Sequence, residues 1–82
     1  MEIFLISHTE QILPGFSLAR IQGIAVNSSD GLKKALDDTY LKNAGIILIT
    51  EGINSLFPET INNFSENHNR PLLITVPGGL ND

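Results

Sequence analysis

The chain has 82 residues, of which 41% are hydrophobic and 17% are charged, which suits one soluble domain with a small core. The net charge at pH 7 is −4, and the five basic residues are scattered, so no cationic face for nucleic acid is predicted. The absence of cysteine excludes disulfides, thiolate nucleophiles and cysteine-ligated zinc. Apolar runs such as Ile3–Ile6 are far shorter than the roughly 20 residues of a membrane span, and the amino terminus lacks the basic start of a secretory signal. These features predict a cytoplasmic protein that does not insert into membranes.

Short apolar runs predict the strands. Ile3–Ile6, Ile46–Ile49 and Leu72–Val76 are largely continuous in apolar character rather than alternating with polar residues. This pattern is typical of strands that are covered on both faces, as in a parallel sheet. Ile24–Val26 is a fourth and shorter run, which predicts an edge strand.

The clearest helix follows the second predicted strand. Four residues spaced i, i+3, i+4 and i+8 form one apolar face, and charged residues occupy the other. These four are Leu32, Ala35, Leu36 and Tyr40. Ser28 or Ser29 is expected to cap the amino end by accepting a hydrogen bond from a free backbone N–H.

Two further helices are predicted from weaker patterns. Pro14 interrupts the segment 9–20, and Pro58 interrupts the segment 54–66. If Ser55 caps the second of these, Pro58 falls in the first turn, where its missing N–H costs little. Two residues then face the sheet, Ile61 and Phe64.

The alternation of strands and helices predicts an α/β fold. We expect a small open sheet of four parallel strands with helices on both faces, in the flavodoxin-like or receiver-like order 2-1-3-4. Residues 1–76 are expected to form a single domain, and residues 77–82 a short carboxyl-terminal tail.

A ligand site in such a sheet would lie beyond the carboxyl ends of its strands. The residues at these ends are polar but sparse, and they are the candidates for an interface. They are Ser7, His8, Asn27, Thr50, Glu51, Gly52 and Pro77.

The sequence lacks the motifs of known sites at such strand ends. The spacing of the glycines matches neither a dinucleotide-binding loop nor a P-loop, and the acidic pair of a receiver domain is missing after the first strand. No catalytic residue, metal ligand or cofactor site is predicted.

Three residues have a chemical alternative that the sequence favours less. His8 at a strand end could accept a phosphoryl group or act as a base, but an interface or loop histidine is the favoured interpretation. Glu51 fits capping or solvation better than catalysis. His68 would need further ligands to bind a metal.

Three segments in order carry a family resemblance. Gly15–Ala19, Gly45–Glu51 and Pro71–Gly78 resemble the first loop, the "GIILITE" strand end and the final strand of the F subunit of the V/A-type ATP synthases. The resemblance covers nearly the whole chain. Arg20 stands where the family usually has glycine, and the sequence ends at Asp82, before the carboxyl-terminal helix common in that family.

The resemblance implies a noncatalytic rotor part of the central stalk. Such a subunit packs on the coiled-coil D subunit, turns within the ring of A and B subunits, and modulates the coupling of ATP hydrolysis or synthesis to proton or sodium transport. Two other classes remain open from the residues alone. One is a receiver-like signalling or phosphotransfer domain, and the other is a small ligand-binding α/β domain with a site near Ser7, Asn27 and Thr50.

Overall fold

Four parallel strands form one sheet in the computed structural model, which describes residues 2–9 and 21–77. The strands are β1 (Glu2–Ser7), β2 (Gln22–Ala25), β3 (Ala44–Thr50) and β4 (Leu72–Val76). Their spatial order is β2-β1-β3-β4, and every neighbouring pair is parallel. The predicted fold class and strand order are therefore confirmed.

The short strand β2 is an edge strand, as its length predicted. Its bounds differ from the prediction, because the ladder with β1 begins at Gln22 rather than Ile24. Val26 lies just beyond the strand, although its N–H still donates to the Ser7 carbonyl at 2.9 Å. Apolar character therefore located the strand, but the backbone pairing set its ends.

The two faces of the sheet differ in what covers them. Phe4 and Ile6 of β1 lie on the same face as Ile47 and Ile49 of β3, and all four are almost fully buried. Successive side chains of a strand point to opposite faces, so the intervening residues of each strand lie on the second face. The first face carries the main core.

Helix α1 (Ser29–Leu41) covers this first face. Its amino-terminal cap is Ser28, whose Oγ accepts a hydrogen bond from the N–H of Gly31 at 3.0 Å. Three of the four residues of the predicted apolar face are buried, namely Leu32, Ala35 and Leu36.

The predicted apolar face of α1 is wrong at Tyr40, which does not join the buried core. Tyr40 is 43% exposed, and Thr39 is buried in its place. Thr39 satisfies its hydroxyl inside the helix by donating to the Leu36 carbonyl at 2.8 Å. The buried stripe therefore continues at i+7 from Leu32 rather than at i+8.

Asn43 ends helix α1. It has φ of 60°, the left-handed conformation that commonly follows a helix and that asparagine tolerates better than most residues. Its N–H donates to the Tyr40 carbonyl at 3.0 Å, and the Lys42 N–H donates to the Asp38 carbonyl at 3.1 Å. These bonds satisfy carbonyls of the last turn and let β3 begin at Ala44.

Two helices, not one, connect β3 to β4, which corrects the prediction for segment 54–66. Helix α2 (Glu51–Leu56) begins directly after β3, and helix α3 (Pro58–Asn67) follows after Phe57. Proline disfavours the helical conformation in the residue before it, which accounts for the break at Phe57. Pro58 is the first residue of α3, so its predicted place in a first turn is confirmed, whereas Ser55 lies inside α2 and caps nothing there.

All three described helices bury side chains in one cluster on the first face. Ile53 of α2 and both predicted residues of α3, Ile61 and Phe64, belong to it. The predicted helix at 9–20 lies almost wholly outside the described residues, and so does the predicted tail beyond Pro77. The proposed domain boundary at residue 76 stays a prediction.

Candidate functional site

The carboxyl edge of the sheet brings together all seven residues predicted there. Ser7 and Thr50 end the adjacent strands β1 and β3, and Pro77 follows β4, whose last residue Val76 pairs with Thr50. Asn27 follows Val26, whose N–H extends the β1–β2 ladder. Parallel strands end at the same edge, so this grouping is a direct consequence of the topology. We call these residues the rim: Ser7, His8, Asn27, Thr50, Glu51, Gly52 and Pro77.

Two rim residues are fully buried and use their hydroxyls within the fold. The Ser7 hydroxyl donates to the carbonyl of Thr9, which fixes the turn after β1. The Thr50 hydroxyl accepts from the Ile53 N–H at 3.4 Å and so caps helix α2. Neither side chain is at the surface of the chain.

The other five rim residues reach the surface to different degrees. His8 and Gly52 are half-buried, whereas Asn27, Glu51 and Pro77 are exposed. Glu51 is the first residue of α2, where a carboxylate suits the positive end of the helix dipole. The exposed rim therefore offers an amide, a carboxylate and a proline ring, which can make surface contacts but do not form a nucleophile activated by a base.

His68 has a structural role that sequence reasoning missed. Its ring stacks on Phe64 with centroids 4.1 Å apart and meets Tyr40 edge-on at 4.6 Å. Its Nδ1 lies 2.9 Å from the Phe64 carbonyl, which fits a tautomer whose Nδ1–H donates to the end of α3. The i,i+4 spacing of Phe64 and His68 was the available signal, because such residues share a helix face.

Sequence reasoning also missed Thr50 and Asn43 as helix caps. The apolar run identifies Thr50 only as the end of a strand, although a threonine directly before a helix start is a common cap. Asn43, placed between the clearest helix and a strand, matches the usual carboxyl-terminal signal. Both residues connect β3 to the helices on either side of it.

The described grooves do not coincide with the rim as a whole. A groove of about 340 Å³ lies between α1 and α3 and is bordered by Asp30, Lys33, Asn63 and His68 among others. In the part of the chain that the structure describes, no three His, Cys, Asp or Glu residues are grouped to hold a metal ion. Nor is any described helix long and apolar enough to cross a membrane.

These observations define a class of protein: a small parallel α/β domain whose strand-end residues serve mainly as turns, caps and exposed polar contacts. Within that class, residues 3–81 match the family of the ATP synthase (F/14-kDa) subunit, and the chain belongs to this family. It is therefore a subunit of a rotary ATPase, and the V/A type predicted from the sequence is consistent with the match. A search of curated proteins finds no significant match.

Proposed function

We propose that the chain is a noncatalytic rotor subunit of the central stalk, which binds the D subunit and modulates the coupling of ATP hydrolysis or synthesis to ion transport. The observation that carries the proposal is the family match, which extends over residues 3–81 and so includes every described strand and helix except the first residue of β1. The A and B subunits of the catalytic head are the further partners. In this proposal the complex lies at the cytoplasmic side of a membrane, with this chain peripheral to it.

The absence of catalysis is part of the proposal. The glycines of the sequence do not have the spacing that lets a backbone approach a pyrophosphate. Thr50, at the central strand end where a catalytic group would be expected, is buried and caps α2. A domain with a complete sheet and no assembled active site is consistent with a subunit that serves as an interaction module.

Co-expression with the D subunit of the same organism tests the proposal. We expect the two chains to co-elute in size-exclusion chromatography at micromolar concentration, with a mass that corresponds to one copy of each. The control is the same D subunit expressed alone, because a coiled coil can aggregate without a partner. Separate elution of two folded chains would refute D binding.

The exposed rim is proposed to contribute polar contacts to the D interface. Glu51→Lys reverses the charge of an exposed side chain at the start of α2, and we expect D binding to weaken about threefold, as is usual for charges at an interface margin. Titration of a labelled D subunit at two salt concentrations measures the effect, which should shrink at high salt. Unchanged affinity at both concentrations would remove Glu51 from the interface.

A further inference from the structure

Strand β4 is an edge strand, and no described residue pairs with its outer side. It stands last in the order β2-β1-β3-β4, and β3 is the strand with which it pairs. The backbone N–H and C=O groups of an edge strand that point away from the sheet can pair with a further strand. Leu72 is 60% exposed, and Ile74 and Thr75 are exposed as well. Within the described residues, this edge is therefore open.

Strand β4 lacks the features by which edge strands usually avoid such pairing. Residues 71–80 contain no charged side chain, and the five residues of β4 are aliphatic or β-branched. Protected edges instead have a lysine or another charge, a proline or bulge within the strand, or very short strands. At the opposite edge, β2 has four residues and includes Gly23, which weakens a strand. Of the two edges, β4 is the better template for a further strand.

The sequence around β4 is symmetric in an antiparallel register. Ile74 is the middle residue of the strand, so a twofold axis at Ile74 would place it opposite its counterpart in a second copy, with Leu72 opposite Val76. Pro71 and Pro77 flank the strand and would also lie opposite each other. Since proline has no N–H to donate to a ladder, the two prolines limit the ladder to the same five residues in both copies.

This register would pair the exposed aliphatic side chains of β4 with each other. Side chains two apart in a strand point to the same face, so Leu72, Ile74 and Val76 share one face. Residues directly opposite in an antiparallel pair have Cβ atoms about 4.5–5.5 Å apart, and apolar pairs at that distance stabilise the pairing. The exposed Leu72 would contact the half-buried Val76 of the second copy, and the two Ile74 side chains would contact each other.

Charge also favours a second copy as the occupant of this edge. Two chains with a net charge of −4 repel each other at long range, but residues 71–80 place no like charges opposite each other along the ladder. A strand rich in basic or acidic residues would find no opposite charge there. Since salt screens the long-range repulsion, association through this edge should not weaken when salt is added.

We propose that the chain on its own forms a twofold dimer through antiparallel pairing of β4, with a continuous sheet of eight strands. Each copy contributes the same edge, so the contact closes at two chains. A ladder of five residues is small beside a standard interface, and the dimer is therefore weak and depends on concentration. This inference goes beyond the proposed function and does not rest on it.

Sedimentation velocity of the parent chain and two lysine variants tests the dimer. Over a range from about 10 μM to about 1 mM, we expect the average mass of the parent chain to rise toward that of two chains. Ile74→Lys places two ammonium groups opposite each other at the twofold axis, and the association constant should fall by about tenfold or more. Leu56→Lys is the matched control, since Leu56 is 53% exposed at the end of α2, and it should associate within about twofold of the parent. Circular dichroism establishes that each variant is folded.

Disulfide cross-linking tests the register and does not depend on the lysine variants. The natural sequence has no cysteine, so each substitution introduces a single thiol, which oxidised glutathione converts to a disulfide. Ile74→Cys should cross-link to itself, because opposite residues are within disulfide range. A mixture of Leu72→Cys and Val76→Cys should form mixed dimers, identified by their mass, at least about fivefold faster than either forms homodimers, because like positions lie roughly 13 Å apart. Leu56→Cys is the control and should cross-link no faster than those homodimers.

Three results would overturn the proposal. A parent chain that has the mass of one copy at every concentration does not pair at this edge. Dimerisation that Ile74→Lys leaves intact, or cross-linking at position 56 that is as fast as at position 74, would place the contact elsewhere. Association that weakens when salt is added would indicate a charged interface. Each of these results leaves the proposed function standing, because D binding is measured separately.

Discussion

Ser28 determines how helix α1 starts. The sequence left Ser28 and Ser29 as equal candidates for the cap, and only Ser28 accepts the Gly31 N–H. Its backbone is extended, with φ of −148° and ψ of 159°, as a capping residue requires, whereas Ser29 is already helical. The two side chains are identical, so the backbone conformation alone determines that Ser28 is the cap.

Replacement of each serine by alanine tests this assignment. Ser28→Ala should lower the free energy of unfolding by about 1 kcal/mol, because the Gly31 N–H loses its protein acceptor. Ser29→Ala should change it by less than about 0.5 kcal/mol, as is usual for surface substitutions. Urea denaturation followed by circular dichroism measures both, and equal effects would contradict the assignment.

Asn43 is a second residue whose backbone conformation decides its tolerance to change. Its φ of 60° strains any residue with a Cβ, by about 1–2 kcal/mol for most residue types. Asn43→Ala should therefore lower the free energy of unfolding by about 1 kcal/mol, while Asn43→Gly should leave it equal or higher. Thermal unfolding of the two variants side by side is the measurement, and a more stable alanine variant would exclude the left-handed conformation.

At the scale of elements, helix α1 packs on the sheet through a single stripe of buried side chains. Leu36 is fully buried in the core cluster, whereas Leu41, at the end of the same helix, is 76% exposed. The two leucines have the same helix propensity, so the difference in their environment is the difference in packing. The contribution of each leucine to the free energy of unfolding is therefore expected to depend on its burial and not on its residue type.

Truncation of the two leucines should separate these contributions. Leu36→Ala should cost about 2–5 kcal/mol through lost burial and the cavity left behind, and Leu41→Ala less than about 0.5 kcal/mol. Such a loss at Leu36 is a large share of the roughly 5–15 kcal/mol typical of a folded domain, so partial unfolding in buffer is a further readout. Equal urea midpoints for the two variants would show that the stripe faces elsewhere.

At the scale of the whole molecule, the receiver-like alternative makes a clear prediction. A phosphotransfer domain of this topology would be modified at a strand end, where His8 and Glu51 are the candidates. We expect no change in intact mass after incubation with acetyl phosphate and Mg²⁺, because the metal-binding acidic pair of a receiver site is missing directly after β1, where the sequence has Ser7 and His8. A mass increase of one phosphoryl group that His8→Gln abolishes would restore the signalling hypothesis.

Much of this molecule was predictable from local patterns. The strands and helix α1 follow from short apolar runs, one amphipathic stripe and turn residues at their ends. The strand order is one that is common among folds with this alternation of elements, and the family resemblance came from three ordered segments of the sequence. Local sequence patterns are enough to recognise these elements, because strands and helices differ in the spacing of their apolar residues. The strands of a parallel sheet also require continuous apolar runs. The position of the seven rim residues was also predictable, since parallel strands all end at the same edge, whereas their part in an interface stays a prediction.

Only the tertiary structure shows which side chains are exposed to solvent and which are buried. Ser7 and Thr50 are polar in sequence but buried, Tyr40 has the spacing of a core residue but is exposed, and Leu72 lies in an apolar run but is largely exposed. Composition and periodicity describe one element at a time, whereas exposure depends on the neighbours that pack on it. The sequence therefore determined the fold and the family, and only the assembled sheet showed that Leu72 and Ile74 are exposed on its edge strand.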